Sequence, residues 1–589
     1  MRDKSAAQAY ADEQRWIAVR RRKAGQRADS VLRGLALSGG GVRAATVARG
    51  FVEALARAER FDRFDYLSTV SGGSYIGGAV TEHMGRLGRR LPLPEADYPL
   101  VSPRGHWPVL VYMLLEWVPL LLPLLLYFGF AALVFDNLLR GGVVGWVTTG
   151  AILLLLVIAS LVRWLRRLWF RGAEDTVARA FCVGAVVAML SFIVVGSGYG
   201  MWLFGLALGC FYVARIYLQR NRHVMLVGWA GVAWQLGMLV VLSGGAGGLA
   251  LLLREVLATA PVVWRVLAPL ICLVALVMLV WRTSLPVVRW SRFFPASLRY
   301  QRNVAERFLP FSRWPQGRRL CALVPGPNPF HIINTSANAG DGLQHFELSA
   351  LHCGNLPGGY AATRDWLPGL TIEEAVGASG GAVDLHATGF GWGLLASVFA
   401  SGTGLWIPPA PGDGVARNPM YAHLHFLARR RQEVALRLSD GGFTDNTGIL
   451  ALLYRRTDLI VCLDNGFDPE FAFDDLQALC RSAARLQVAE IRWQAMEQEM
   501  VALRFSASQA GLLVADILYP PVDAAPAKPG RLLLVKLHRA APACGQDFAD
   551  FPHFSTDDQR LGSAQLRDLY VTGVALAERF LQVRGACLQ

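Results

Sequence analysis

Hydrophobic positions divide the chain into two kinds of segment. Between Trp107 and Trp281 apolar residues come in long unbroken runs, whereas the flanks show short runs and helical or alternating periods. Val118–Phe135 is 18 residues without a charge, Val143–Val162 is 20, and Ala180–Ala214 is 35. A helix of that last length would measure about 53 Å, against a hydrocarbon core of about 30 Å. The run is therefore expected to fold back as two helices turning at Gly196-Ser197-Gly198. With Val224–Leu242 and Val262–Trp281 the pattern predicts six transmembrane spans, because core helices of globular proteins seldom lack a polar face over such lengths. The second connection carries Arg163, Arg166, Arg167 and Arg171, and the fourth Arg215, Arg220 and Arg222; the other three hold only Arg140 and Arg254. The positive-inside rule then predicts cytoplasmic termini.

The flanks read as alternating strands and helices. Leu32–Leu37 is a short apolar run, followed by Ser38-Gly39-Gly40-Gly41-Val42-Arg43 and a helical period through Arg57. Phe64–Val70 predicts a strand ending in Ser71-Gly72-Gly73. Far downstream, Val434–Leu438 predicts a strand ending in Ser439-Asp440-Gly441-Gly442, and Leu459–Leu463 one ending in Asp464-Asn465-Gly466. Strand ends followed by glycine turns and helices are the signature of an α/β domain.

Composition sharpens this picture in three respects. Apolar residues make up 53% and charged residues 17% of 589, which excludes a disordered chain and points away from a purely soluble protein. Formal charge is +14, from 58 basic and 44 acidic residues, but only Lys4, Lys23, Lys528 and Lys536 are lysine. This arginine bias carries no partner assignment by itself, and no nucleic-acid partner is expected. Nine scattered cysteines, with no paired metal-ligand spacing, argue against a disulfide framework and a zinc site. No cofactor or metal, calcium or zinc, is implied.

The candidate chemistry lies at the strand ends. Glycines at a helix start free backbone N–H groups to face an anion. Gly39-x-Gly41-x-x-Ala44 also fits a dinucleotide fingerprint, but the next strand ends in Ser71-Gly72-Gly73 where a nucleotide site wants an acid, and Asp65 lies at its other end. A nucleophile elbow needs a serine directly after a strand with small neighbours two positions away on each side. Ser71 has Thr69 and Gly73 there; its rival Ser74 has β-branched Ile76. An Asp-Gly pair is more often a turn than an acid, so Asp440 and Asp464 are both open as a base at this point. His423 and His425 alternate on an apolar stretch, and His553 follows Pro552; all three read as structural.

A triple-glycine loop, an elbow serine and Asp-Gly-Gly in this order resemble the patatin-like phospholipases and the related catalytic domain of cytosolic phospholipase A2. The resemblance takes in Gly34–Met84 and, more loosely, Asn334–Asn338, Glu373–Val383, Leu436–Arg485 and Pro552–Gln559. It implies a serine lipid acyl hydrolase, of phospholipase A or lysophospholipase type, that works with a Ser-Asp dyad and no histidine. Ser71 is then the nucleophile, Asp440 the base, and Gly39, Gly40, Gly41 and Gly72 the oxyanion hole; Arg43 either holds a head group or is structural. Thr69 departs from the family's Gly-x-Ser-x-Gly. The expected architecture is a three-layer α/β/α catalytic domain, residues 1–106 and 291–589, interrupted by a six-span transmembrane insert over 107–290. A multi-pass protein of a bacterial inner membrane, with its catalytic domain cytoplasmic and bilayer phospholipid or lysophospholipid as partner, follows from that expectation. The alternatives are a catalytically degenerate membrane transporter or channel and a nucleotide-binding membrane sensor.

Overall fold

In a computed structural model the described residues are 5–26, 31–87, 295–309, 317–339, 342–382, 403–408, 410–411, 436–504, 511–522, 525–539, 548–555 and 561–588. Twelve strands among them form one mixed sheet. Its centre is parallel: β12 (Lys528–Lys536), β9 (Leu459–Asp464), β1 (Arg33–Leu37), β2 (Tyr66–Val70) and β3 (Phe330–Ala339) lie side by side. Antiparallel β10 (Glu490–Gln494) and β11 (Leu512–Tyr519) extend one side, and β4 (Gly342–Ser349), β5 (His352–Asn355) and β6 (Gly359–Ala362) the other. Short β7 (Leu405–Ile407) and β8 (Leu436–Asp440) complete it.

The central strands are apolar at successive positions because both faces are covered. Leu35, Leu37, Val461, Leu463, Leu533 and Val535 enter one core, and Ala36, Ile460, Cys462, Leu532 and Leu534 the other. The first core is closed by α2 (Gly41–Arg57), α3 (Gly72–Leu87), α4 (Pro295–Phe308), α5 (Ile372–Ser379) and α9 (Ser563–Arg584). The second lies under α1 (Ala6–Lys23), α7 (Leu450–Tyr454) and α8 (Asp474–Arg485).

Helix α1 is pinned by charge rather than by an apolar stripe. Arg20 and Arg21 converge on the fully buried Asp65 at 3.0 and 2.6 Å, and Glu13 receives the Arg455 guanidinium at 2.7 Å, which also reaches Glu347 at 2.8 Å. Asp65, the acid nearest a dinucleotide pattern, is thus spent on a structural pair. Removing one member of such a pair strands the others: Asp65→Ala should cost about 3–5 kcal/mol, read as a lower denaturant midpoint. A loss under about 1 kcal/mol would show that α1 is held by something else.

The fold expected from sequence needs correction in its membrane part. No helix of the described residues is long and apolar enough to cross a membrane. The longest, α9, has 22 residues but carries Arg567, Asp568, Glu578, Arg579 and Arg584. The six runs from Val118 to Trp281, on which the transmembrane bundle and the multi-pass location rested, lie outside the described residues. The described chain is a mixed α/β protein around one large sheet, and the interrupting bundle and the integral-membrane location are not supported.

Candidate active site

Strand β3 acts as a splint for two distant pieces of chain. Its residues from Ile332 to Ala339 pair with β4 along one edge. The opposite edge is shared: β2 runs parallel to it as far as Val70↔Asn334, and β8 arrives antiparallel as far as Asp440↔Thr335. The two strands therefore end head to head at the middle of β3. The residue after one is Ser71, and the last of the other is Asp440.

These two side chains meet. Ser71 Oγ donates to Asp440 Oδ2 at 2.8 Å, and the Gly442 N–H donates to Asp440 Oδ1 at 2.8 Å. Ser71 has φ +48°, a left-handed backbone that a serine adopts at a cost of about 1–3 kcal/mol. The turn is clamped by the end of α5. The Ser71 N–H donates to Ser379 Oγ at 3.0 Å, and Ser379 Oγ donates to the Asn334 carbonyl at 2.6 Å. The N–H groups of Gly441 and Asp440 reach the carbonyls of Ser379 and Gly381 at 3.1 and 3.2 Å. Burial, partly offset by the hydrogen bonds from Gly442 and Ser71, pushes the Asp440 carboxyl up to about 6. It remains ionised at neutral pH and is a far stronger base than an exposed aspartate.

The glycine loop lies against this elbow. A Cβ on Gly72 would stand 2.0 Å from the Gly41 carbonyl, and one on Gly39 3.2 Å from the Ser71 Cβ. Gly40 caps α2 at φ +134° and Gly41 follows at +60°. The Gly39 N–H is already given to the Asn446 carbonyl at 2.9 Å. Gly41 and Gly72 each begin a helix, where backbone N–H groups have no partner within the helix.

The remaining candidates are occupied elsewhere. Ser74 is fully buried and shares its hydroxyl with Thr69 at 2.9 Å and Ser379 at 2.8 Å. Thr69 fits where its family resemblance calls for glycine because its methyl lies over Gly77, where a Cβ would come within 2.5 Å. Its hydroxyl also meets His331 Nε2 at 2.8 Å, a ring kept neutral by burial, which lowers it to about 3. Asp464 pairs with Lys536 at 2.9 Å. Arg43 is buried and donates to the carbonyls of Asn465, at 2.9 Å, and Phe554. Burial, opposed by Asp464, lowers it to about 10. These contacts make Arg43 a strut between loops. His423 and His425 lie outside the described residues. Sequence reasoning missed Ser379; its only signal was the small-residue run Ser379-Gly380-Gly381. Among the described residues no group of three His, Cys, Asp or Glu is placed to hold a metal ion.

No family model and no curated protein sequence matches the chain. Among solved structures it is similar to human GIVD cytosolic phospholipase A2, with TM-score 0.44 and 11% identity over 99% of this chain and 64% of that one. Two complexes of the same human enzyme with methyl gamma-linolenyl fluorophosphonate, one also containing terbium chloride, give TM-scores of 0.37 at 11% and 12% identity. They cover 98% of this chain and 63% and 64% of theirs, so the chain spans less than two thirds of the length of these neighbours. A likeness of this degree says nothing about individual residues, whose assignment rests on their own geometry.

Proposed function

We propose that the protein is a serine acyl hydrolase acting on lipid esters, with Ser71 as nucleophile and Asp440 as its only base. The observation that carries this reading is the 2.8 Å hydrogen bond from Ser71 Oγ to a buried carboxylate, made from a left-handed elbow at a strand end. The lipid part rests on the motif resemblance, and phospholipid or lysophospholipid esters are the proposed class.

The steps follow from the atoms present. Asp440 takes the Ser71 hydroxyl proton as Oγ adds to the ester carbonyl carbon. Negative charge moves to the carbonyl oxygen, and the N–H groups of Gly40, Gly41 and Gly72 are the proposed donors to it; Gly39, its N–H spent on Asn446, provides room. Collapse breaks the ester C–O bond, and protonated Asp440 returns the proton to the leaving alkoxide. Water then attacks the acyl-serine as Asp440 again takes the proton; collapse breaks the acyl C–Oγ bond, Asp440 returns the proton to Ser71 Oγ, and the fatty acid leaves. Among the described residues no histidine hydrogen-bonds to either side chain, so the raised basicity of Asp440 does the work usually given to imidazole.

A fluorophosphonate probe tests this directly. The wild-type chain should be labelled covalently, Ser71→Ala should not, and Ser74→Ala should keep labelling if it folds. Labelling that survives in Ser71→Ala would overturn the assignment.

A further inference from the structure

A second site lies behind Arg43, away from the elbow. A cavity of about 560 Å³ is lined by Phe467, Phe471, His538, Phe551 and His553 among others, and neither Ser71, Asp440 nor the glycine loop borders it. Its size falls in the range of small-molecule sites, about 300–1,000 Å³. Arg43 separates it from the loop, with its guanidinium over the Phe467 ring at 5.6 Å.

Arg539, Asp550 and Ser555 line it at exposed positions, and two imidazoles line it at buried ones. His538 is buried, and its Nδ1 lies 2.9 Å from the Lys536 carbonyl, which can only accept; Nδ1 therefore carries the hydrogen. Burial lowers this imidazole below its ordinary range, so the ring is neutral and Nε2 presents a lone pair, which has no partner. His553 is also buried, and neither ring nitrogen has a partner. Burial first, then the cations Arg43 and Lys536, lower it to about 3, so it presents one donor and one acceptor. Leaving such atoms unmet costs about 1–3 kcal/mol each.

The complement of this set is narrow. A bare anion only accepts and cannot meet the lone pair of His538. A cation cannot meet the N–H of His553, and no metal cluster occurs among the described residues. Charge gives no preference for either sign, because the described lining holds one cation, Arg539, and one anion, Asp550, and nearby Lys536 is neutralised by Asp464 and Asp468, each at 2.9 Å. A hydroxyl group both donates and accepts. Rings of Phe467, Phe471 and Phe551 add apolar faces for C–H groups. We infer that this cavity is a binding site for a neutral polyol of inositol or sugar type, either free or as a lipid head group.

Saturation-transfer NMR on the full chain with millimolar myo-inositol tests it. Transfer to the ring protons is expected in the wild type. It should fall about tenfold in affinity in His553→Phe, the worth of one lost buried hydrogen bond. Phe467→Ala, on a residue already 53% exposed, should weaken it too and guards against misfolding of the first variant. Flotation with phosphatidylinositol vesicles against phosphatidylcholine vesicles separates a head group from a free polyol, and either result supports the site. No transfer with myo-inositol, glycerol or glucose, undiminished binding in the folded variants, or displacement by inorganic phosphate alone would overturn it. Binding is read without turnover, so its failure is distinct from failure of the hydrolase assignment.

Discussion

Asp440→Asn should lower lipid ester turnover by about 10⁴ and at the same time make the protein more stable above pH 6. The loss follows from removing the base while keeping the shape: an amide accepts from Gly442 as before but takes no proton from Ser71. The gain follows from linkage. A carboxyl raised from 3.8 to about 6 binds its proton more tightly folded than unfolded, so the native state holds more protons between those values and stability falls as pH rises through them. Two units correspond to at most about 3 kcal/mol at pH 8. Thermal melts of the two proteins should coincide near pH 3.5 and separate, variant higher, at pH 8. Wild-type kcat/KM should fall about tenfold per unit below pH 6, where the base is protonated. The new amide precedes Gly441, a pair prone to deamidation, so fresh protein is needed. A variant that turns over at more than one hundredth of the wild-type rate would remove Asp440 from the role.

Gly72→Ala should cost about 10²–10³ in kcat/KM, the worth of one oxyanion donor. Its methyl would stand 2.0 Å from the Gly41 carbonyl and 2.9 Å from the Gly41 nitrogen. Both atoms are backbone, so no side chain can rotate away; the start of α3 and the glycine loop must separate, and the Gly72 N–H moves away from that of Gly41, two of the three proposed donors. Gly369→Ala, where nothing lies within 4 Å of the new methyl, is the control and should leave turnover unchanged. Retention of activity within about threefold in a folded Gly72→Ala protein would mean that this pair of N–H groups does not face the developing charge.

The sequence disclosed what is local and hid what is distant. Ser38-Gly39-Gly40-Gly41, Ser71-Gly72-Gly73 and Asp440-Gly441-Gly442 stand out because backbone turns at strand ends tolerate few residue types, and such constraints act over four or five positions. The strands beside them are recognisable for the same reason: Leu32–Leu37 is found as Arg33–Leu37, and Phe64–Val70 as Tyr66–Val70, with Phe64 following a short 3₁₀ turn. Nothing local reveals that β2 and β8 share an edge of β3, since the pairing joins residues separated by hundreds of positions. Ser379 was hidden likewise: a serine near the end of a short helix is ordinary until tertiary packing brings three backbone groups to it. The membrane expectation shows the opposite error, a composition signal carried into a fold on hydropathy alone, whereas the charged α9 reflects packing against α2 that hydropathy does not describe. There Gly573 lets the Val47 carbonyl approach to where a Cβ would stand at 2.1 Å.

The splint role of β3 makes the separation of serine and carboxylate a discrete quantity. Ladder hydrogen bonds repeat every two residues, so β8 can change register on β3 only in steps of about 6.8 Å without turning its side chains to the other face. No intermediate setting exists in which Asp440 stands slightly too far from Ser71 with both strands still paired. Small stresses on the surrounding chain are then absorbed in loops, while the pair is either assembled at bonding distance or lost altogether. In such an arrangement partial damage lowers the fraction of competent molecules and leaves the rate constant of each one intact.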